Sequence, residues 1–237
     1  METVVDEIAD NIYRLSTYVQ PANFTFNQYL IRAGEPLLFH CGPLAMFPLV
    51  SAAVGKVIPV RTLRWVSFGH HESDESGAMN EWLNAAPGAQ VAVGEVGCMI
   101  SMNDLAARPP KALPDGATLD LGDKRVRYLA TPHVPHCWDA GVLYEETTRT
   151  LLCGDLFTAI GRHAAISSSD PVGPALAAED VFHATALTPT TGRSIRRLAE
   201  LRPEGLALMH GPAFRGDCVG ALGALAAAYE ERLAAAG

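Results

Sequence analysis

The first half of the chain alternates short apolar runs with Gly and Pro breaks, a pattern typical of β-strands joined by tight turns. A hairpin turn is expected at residues 33–36, where the letters AGEP separate two such runs. Residues 44–57 instead have the apolar spacing of a helix, which Pro48 is expected to interrupt. Strands are predicted at residues 11–19, 26–34, 36–43 and 63–69.

The second half repeats this order of strands followed by helices. Strands or hairpins are predicted at residues 89–95, 117–133, 140–157 and 205–214, and helices at 77–86, 99–108, 175–187, 191–201 and 216–235. Two strand-rich halves, each closed by helices, predict an α+β protein with a four-layer αββα sandwich, in which two sheets pack together under outer helices. Since no internal repeat or low-complexity linker divides the chain, residues 1–237 are expected to form a single domain.

Composition narrows the classes of function. The apolar fraction of 49% supports a large core, and a formal net charge of −8 argues against nucleic acid as a partner. No run approaches the roughly 18 apolar residues of a membrane-spanning helix, and the acidic N-terminus METVVDEIADNIYRL favours a cytoplasmic protein over a secreted one. The five cysteines are scattered without a CxxC pair, so neither a disulfide framework nor a thiolate zinc site is predicted.

Candidate metal ligands follow four of the predicted strands. Residues 70–75, HHESDE, hold two histidines and three carboxylates directly after a buried strand, and His136, Asp155 and His210 each follow another strand. Strand ends on one edge of a sandwich converge, so these groups are expected to form one site. Imidazole and carboxylate without thiolate suit iron, manganese or zinc. A pair of divalent ions needs a bridging carboxylate, and Asp155, alone on its loop, is the candidate.

The motifs HHESD, TPHVPH, CGD and MHG, in this order, resemble the metallo-β-lactamase superfamily. Glu72 stands where the hydrolases of that superfamily carry a second histidine, and this change resembles the diiron lactamase domain of flavodiiron proteins, the oxygen and nitric oxide reductases. The spacing is similar as well: 61 residues separate Asp74 from His136, 18 separate His136 from Asp155, and 54 separate Asp155 from His210.

The resemblance implies two iron ions with a defined ligand set. The first iron would be held by His70, Glu72 and His136, the second by Asp74 and His210, and Asp155 would bridge them. The additional carboxylate makes the site harder and favours iron over zinc, although two zinc ions remain the alternative.

Four neighbouring residues are assigned less directly. Glu75 occupies a position that is usually histidine, and it either ligates the second metal or points away from it. His71 is expected beside the site or in solvent, because adjacent side chains in extended backbone point opposite ways. His133 competes with His136, which the spacing favours. His40 is expected to support the site from below.

The resemblance implies a non-haem diiron protein that binds or reduces O2 or NO. The flavodoxin domain of flavodiiron proteins has no counterpart in residues 1–237, so electrons are expected from a separate donor protein. A dinuclear zinc hydrolase of a small-molecule ester, thioester or lactam is one alternative, and a diiron oxygen sensor is another.

Three further expectations concern the surroundings of the site. Residues 159–190 are rich in Ser, Pro and Gly and are predicted to form a mobile loop over it. Trp138 and Phe157 are expected to form an apolar wall that limits water. The Ala-rich face of helix 216–235 is compatible with packing on a second subunit in a homodimer.

Overall fold

Two seven-stranded sheets form the centre of the structure, a computed structural model that describes residues 1–236. The first sheet contains β1 (Thr3–Ala9), β2 (Ile12–Val19), β3 (Phe24–Ile31), β4 (Leu37–Phe39), β5 (Trp65–Ser67), β6 (Gln90–Gly94) and β7 (Lys111–Leu113), in chain order. The second contains β8 (Thr118–Asp120), β9 (Arg125–Ala130), β10 (Gly141–Glu145), β11 (Thr150–Leu152), β12 (Ile166–Ser167), β13 (Gly205–Ala207) and β14 (Ala213–Phe214), in the order β12-β14-β13-β11-β10-β9-β8.

The helices divide between the two sheets along the chain. They are α1 (Phe47–Val54), α2 (Ser73–Ser76), α3 (Met79–Ala85), α4 (Glu95–Gly97), α5 (Asn103–Leu105), α6 (Val172–Phe182), α7 (Thr191–Glu200) and α8 (Cys218–Ala236). A π-helical stretch, Cys98–Met102, joins α4 to α5. No helix within residues 1–236 is long and apolar enough to cross a membrane.

Three separate apolar clusters show the predicted four layers. One lies between the sheets, one lies between the first sheet and α1 and α3, and one lies between the second sheet and helices α6–α8. Successive residues of β10 show the alternation that builds them, because Leu143 faces the inner cluster while Val142 and Tyr144 face the helices. The αββα sandwich predicted from the sequence is therefore confirmed.

Parallel pairing brings the ends of the site-bearing strands to one edge. In the first sheet β4, β5 and β6 run parallel, and β5 leads directly into residues 70–75. In the second sheet β11 pairs parallel with β13, which places Asp155 and His210 just beyond neighbouring strand ends. This geometry positions side chains of both sheets on one edge of the sandwich.

Several elements differ from the sequence-based expectation. The N-terminal strand β1 is not predicted, and Pro48 lies in the first turn of α1 rather than interrupting a longer helix. The helix predicted at 77–86 is present as α3, but a separate short helix, α2, precedes it from Ser73 to Ser76 and is not predicted. The covering segment 159–190 contains the unpredicted strand β12 and the helix α6, which begins three residues before the helix predicted at 175–187 and ends five residues before its end.

Candidate metal centre

The segment after β5 turns from extended to helical backbone within the HHESDE motif. Glu72 has extended dihedrals, φ −134° and ψ 159°, and immediately precedes α2, whereas Asp74 and Glu75 lie in the first turn of that helix. Asp74 is therefore presented by the first turn of a helix, whereas Glu72 is presented by extended backbone. Consecutive helical residues point about 100° apart, so Asp74 and Glu75 diverge.

One cluster of potential ligand atoms surrounds Glu72. Its Oε2 lies 2.9 Å from His70 Nε2 and 3.0 Å from His136 Nε2. Asp155 Oδ2 completes the group, 3.7 Å from His70 Nε2 and 3.5 Å from His136 Nε2. Two imidazoles and two carboxylates thus have ligand atoms that all lie within 4.8 Å of one another.

A second group forms around His210. Its Nε2 lies 3.3 Å from Asp74 Oδ2 and 3.3 Å from Asp155 Oδ1. The two oxygens of Asp155 therefore face different groups, which is the geometry that a carboxylate between two ions requires.

Hydrogen bonds on the far side of two rings fix which nitrogen faces the site. His210 Nδ1 lies 2.8 Å from the carbonyl oxygen of Thr25, which can only accept, so Nδ1 carries a proton and Nε2 is the nitrogen left to bind a metal once its own proton is displaced. Similarly, His70 Nδ1 lies 3.3 Å from Glu75 Oε1 while its Nε2 faces Glu72. Such partners orient imidazoles for metal binding and raise their basicity.

Glu75 lies behind His70, on the side away from the ligand cluster. Its carboxylate is fully buried and accepts hydrogen bonds from the backbone N–H groups of Gly69 at 2.5 Å and His70 at 2.8 Å. Burial opposes its ionisation, but the nearby imidazoles of His40 and His70 hold its pKa below the usual range. Of the two roles that the sequence allows for Glu75, this placement favours pointing away from the second metal.

The three other candidate histidines lie outside both ligand groups. His40 is fully buried beneath the site, with Nε2 3.5 Å from Glu75 Oε1, and burial lowers its pKa. His71 is exposed and its Nδ1 lies 3.1 Å from Ser76 Oγ. His133 is exposed and has a left-handed backbone with φ +64°. The position of His136 beside Glu72 supports its preference over His133 as a ligand.

Charge coupling within the site is strong. Burial alone would lower the pKa of His70, but the charge of Glu75 and hydrogen bonds with Glu72 and Glu75 raise it to about 12. For His210, hydrogen bonds with Asp155 and Asp74 likewise overcome burial and raise the pKa to about 10. Conversely, hydrogen bonds from His136 and His70 hold the pKa of Glu72 far below its usual range. Without metal the site is a network of imidazolium and carboxylate groups, so a binding cation must displace protons.

The residues fit a pair of divalent cations. Asp74 Oδ1 is buried without a hydrogen-bond partner, and the contact of Asp155 Oδ1 with His210 Nε2, at 3.3 Å, does not meet hydrogen-bond geometry. Buried carboxylate oxygens in this condition are costly unless a cation or donor satisfies them. Within the described residues, Cys137 Sγ is the thiol that approaches the site, near His70 and His136, and burial raises the pKa of that thiol.

A cavity of about 420 Å³ opens onto both ligand groups. Its apolar wall is formed by Phe24, Phe26 and Phe182, and the ring centroid of Phe24 lies 4.3 Å from that of His210. The expected wall of Trp138 and Phe157 is wrong, because Trp138 is 58% exposed, Phe157 is buried elsewhere in the core, and neither lines this cavity. The sequence offers only a weak signal for the actual wall, since its rings come from separate segments.

Residues 24–211 match the family described as "ODP family beta lactamase". The chain belongs to this family. An ODP relative of known structure, the apo state of a chemotaxis sensor from T. denticola, has 20% identity and a TM-score of 0.74, with 95% of this chain and 94% of that chain covered.

Flavodiiron proteins are similar to this ODP-family chain in both sequence and structure. A rubredoxin-oxygen oxidoreductase from Megalodesulfovibrio gigas is 23% identical over 206 residues, which cover 84% of this chain and 51% of the relative. The solved structure of the rubredoxin oxygen:oxidoreductase from Desulfovibrio gigas has 20% identity and a TM-score of 0.80, covering 98% of this chain and 62% of that one. The chain thus spans about half the length of that curated relative.

A hydrolase is also similar to part of the chain. The hydroxyacylglutathione hydrolase of Acidiphilium cryptum is 33% identical over 142 residues, which cover 55% of this chain and 52% of the relative. The chain is therefore similar in sequence both to an oxidoreductase and, over about half of its length, to a hydrolase.

Proposed function

We propose that this ODP-family chain is a non-haem diiron protein that binds O2 or NO at the edge of the sandwich. The observation that carries the proposal is the position of Glu72, whose Oε2 lies between the Nε2 atoms of His70 and His136 at 2.9 and 3.0 Å. A carboxylate at that point adds a hard oxygen ligand, which favours iron over zinc.

The two ligand groups assign each residue a role toward the ions. His70, Glu72 and His136 would hold the first, Asp74 and His210 the second, and Asp155 would bridge through its separately directed oxygens. Two ferrous ions, when bound, supply the electrons for the chemistry of a diatomic gas. The protein contributes the geometry of the site, because Glu75 and the Thr25 carbonyl fix the rings of His70 and His210.

Reduction of the gas and sensing of the gas require different protein partners. Reduction requires a separate electron-donor protein, as for the rubredoxin-linked relative, whereas a sensor requires a partner that reads the state of the centre. The structural match with the ODP chemotaxis sensor extends over 94% of the sensor's chain, and this similarity supports the sensing role. A cytoplasmic location and a homodimer stay predictions.

Metal content tests the proposal directly. Protein produced in iron-replete medium and purified without oxygen is expected to hold two irons per chain and to gain near-ultraviolet absorption on exposure to O2. The matched variant Glu72→His should shift the bound metal toward zinc, while Glu200→His on the exposed surface of α7 should not.

A dinuclear zinc hydrolase is the second candidate, supported by the 33% identity to the hydroxyacylglutathione hydrolase. In that case the wild-type protein would be colourless, would hold two zinc ions and would hydrolyse a hydroxyacylglutathione thioester. That result would refute the diiron proposal.

A further inference from the structure

The cavity beside the metal centre is larger than a diatomic gas requires. Its volume of about 420 Å³ lies in the range of sites for organic molecules, roughly 300–1,000 Å³. A diatomic molecule needs about as much room as one water, which is roughly 10–15 Å³ of cavity. Most of this space is therefore available to something else.

The wall opposite the ligands is built mainly by helix α6. Ala175, Ala178 and Phe182 of this helix face the cavity, and the two alanines are buried and leave room beside them. Phe24 packs edge-to-face against Phe182 with ring centroids 5.6 Å apart. Aromatic rings with small side chains opposite them form a slot suited to a flat apolar body.

One acidic group interrupts this apolar wall. Glu179 lines the cavity on α6, and its carboxylate accepts hydrogen bonds from Thr185, from Oγ1 at 2.6 Å and from the backbone N–H at 3.1 Å. A carboxylate offers about four lone-pair sites, so two donors leave acceptor capacity unused. Among the described residues no Lys, Arg or His forms an ion pair with Glu179, and nearby Arg232 pairs with Asp180 instead, at 2.7 Å.

Thr185 and Tyr229 keep the carboxylate in place. Tyr229 Oη lies 3.2 Å from Thr185 Oγ1, and both residues line the cavity. The Thr185 hydroxyl lies within donor distance of both Glu179 Oε2 and Tyr229 Oη, and the contact with Glu179, at 2.6 Å, is the shorter of the two. The acceptor at this end of the cavity is thus held by hydrogen bonds within the protein.

The two ends of the cavity carry opposite charge once metal is bound. Two divalent ions would bring four positive charges against the three negative charges of Glu72, Asp74 and Asp155, the carboxylates that line this end; Glu75 lies behind His70 and does not line the cavity, so the cavity side of the metal end keeps a net positive charge. The other end carries the negative charge of Glu179. An anionic or oxygen-donor head is favoured at the first end and an amine or other strong donor at the second.

We infer that this cavity binds a small organic zwitterion, with an anionic oxygen head at the metals, an aromatic or apolar body against Phe24, Phe26 and Phe182, and an amine at Glu179. This site rests on the proposed function only for the presence of the metal pair. It makes the chain a receptor for an organic molecule in addition to a diatomic gas.

The test compares two probes that differ only in the amine. The dissociation constants of 4-(2-aminoethyl)benzoate and 4-ethylbenzoate are measured by calorimetry on the metal-loaded protein without oxygen, and again on zinc-loaded protein. The wild-type protein should prefer the amine. Glu179→Gln should weaken the amine probe about tenfold or more, the effect of losing a hydrogen bond between charged groups, and should change 4-ethylbenzoate less than about twofold.

Two further variants control for folding and for surface charge. Ala178→Leu places extra carbons in the slot and should weaken both probes without changing metal content. Glu200→Gln, on the exposed surface of α7, should change neither. If Glu179 only ties Thr185 to α6, then Glu179→Gln lowers the melting temperature but leaves the ratio of the two dissociation constants unchanged, and the inference is overturned.

The outcomes also separate this inference from the proposed function. A protein that binds iron but binds neither probe at about 10 mM refutes the organic site alone. The diiron function is refuted, and the organic site is retained, if the protein binds no iron but its zinc-loaded form prefers the amine probe and loses that preference in Glu179→Gln.

Discussion

Replacement of Glu75 by glutamine tests whether this buried carboxylate orients a metal ligand from behind. Glu75 Oε1 lies 3.3 Å from His70 Nδ1, and its Oε2 accepts two backbone N–H groups. In Glu75→Gln the amide oxygen can keep the backbone bonds, but the amide N–H₂ then faces the protonated Nδ1 of His70. The amide N–H₂ and the Nδ1–H of His70 would then be two donors facing each other, and the negative charge of residue 75 would be lost.

The size of the effect follows from the bond that is removed. A hydrogen bond to a charged group contributes about 1.5–3 kcal/mol, and each 1.4 kcal/mol is about tenfold in an equilibrium constant. Loss of an outer partner of a metal-bound imidazole costs about 10–100-fold in metal affinity, or about 1.4–2.8 kcal/mol, which agrees with that range. Because His70 lies in the group around Glu72 and not in the group around His210, the loss should fall on the first metal.

The assay is a competitive titration of metal-free protein against a chelator, which resolves the two binding steps. Glu75→Gln should weaken one step about 10–100-fold and leave the other within about twofold, whereas Glu200→Gln should alter neither. Equal weakening of both steps, or no change in either, would contradict the orienting role. Glu75→His gives an independent check, since a clear rise in reduction potential would identify residue 75 as a ligand of the second metal.

Three other predictions concern the ligands themselves. Asp155→Ala should lose both metals and His210→Ala mainly the second, as measured by metal-to-protein ratio; two metals retained in Asp155→Ala would rule out the bridge. His136→Ala should weaken metal binding and His133→Ala should not, and the opposite result in a titration of the two variants would reverse the assignment. For metal-free protein, the pKa of His210 is raised from 6.5 to about 10. Its stabilising contribution is complete below pH 6.5 and is lost as the pH rises to about 10, so the melting temperature should fall across that interval. A flat profile would contradict the charge network.

The sequence predicts the sandwich and the positions of the ligands because both depend on local signals. Runs of apolar residues mark the buried strands, and imidazole and carboxylate groups stand where those strands end. The strand β1 cannot be predicted from apolar runs, because only Thr3 and Ile8 of its seven residues are buried and the apolar alternation is weak.

The direction of Glu75 and the make-up of the cavity depend on tertiary structure. Whether Glu75 reaches the metals is decided by where α2 begins, and Ser73 starts that helix without a side-chain cap that the sequence could reveal. The cavity wall combines Phe24 of β3 with Phe182 of α6, and only the packing of the two sheets brings them together. Spacing along the chain carries no information about such contacts.

The division of ligands between the two sheets has a consequence for how the protein is made. Three of the proposed ligands lie between residues 70 and 74, and three lie between residues 136 and 210, so the chain that separates them must be synthesised and folded before either proposed ion would have a complete set. An ion cannot nucleate this fold as it does in a small zinc finger. For the proposed centre, metal acquisition is therefore a late event in the life of the chain, and the supply of metal would set the fraction of finished molecules that is loaded rather than the fraction that folds.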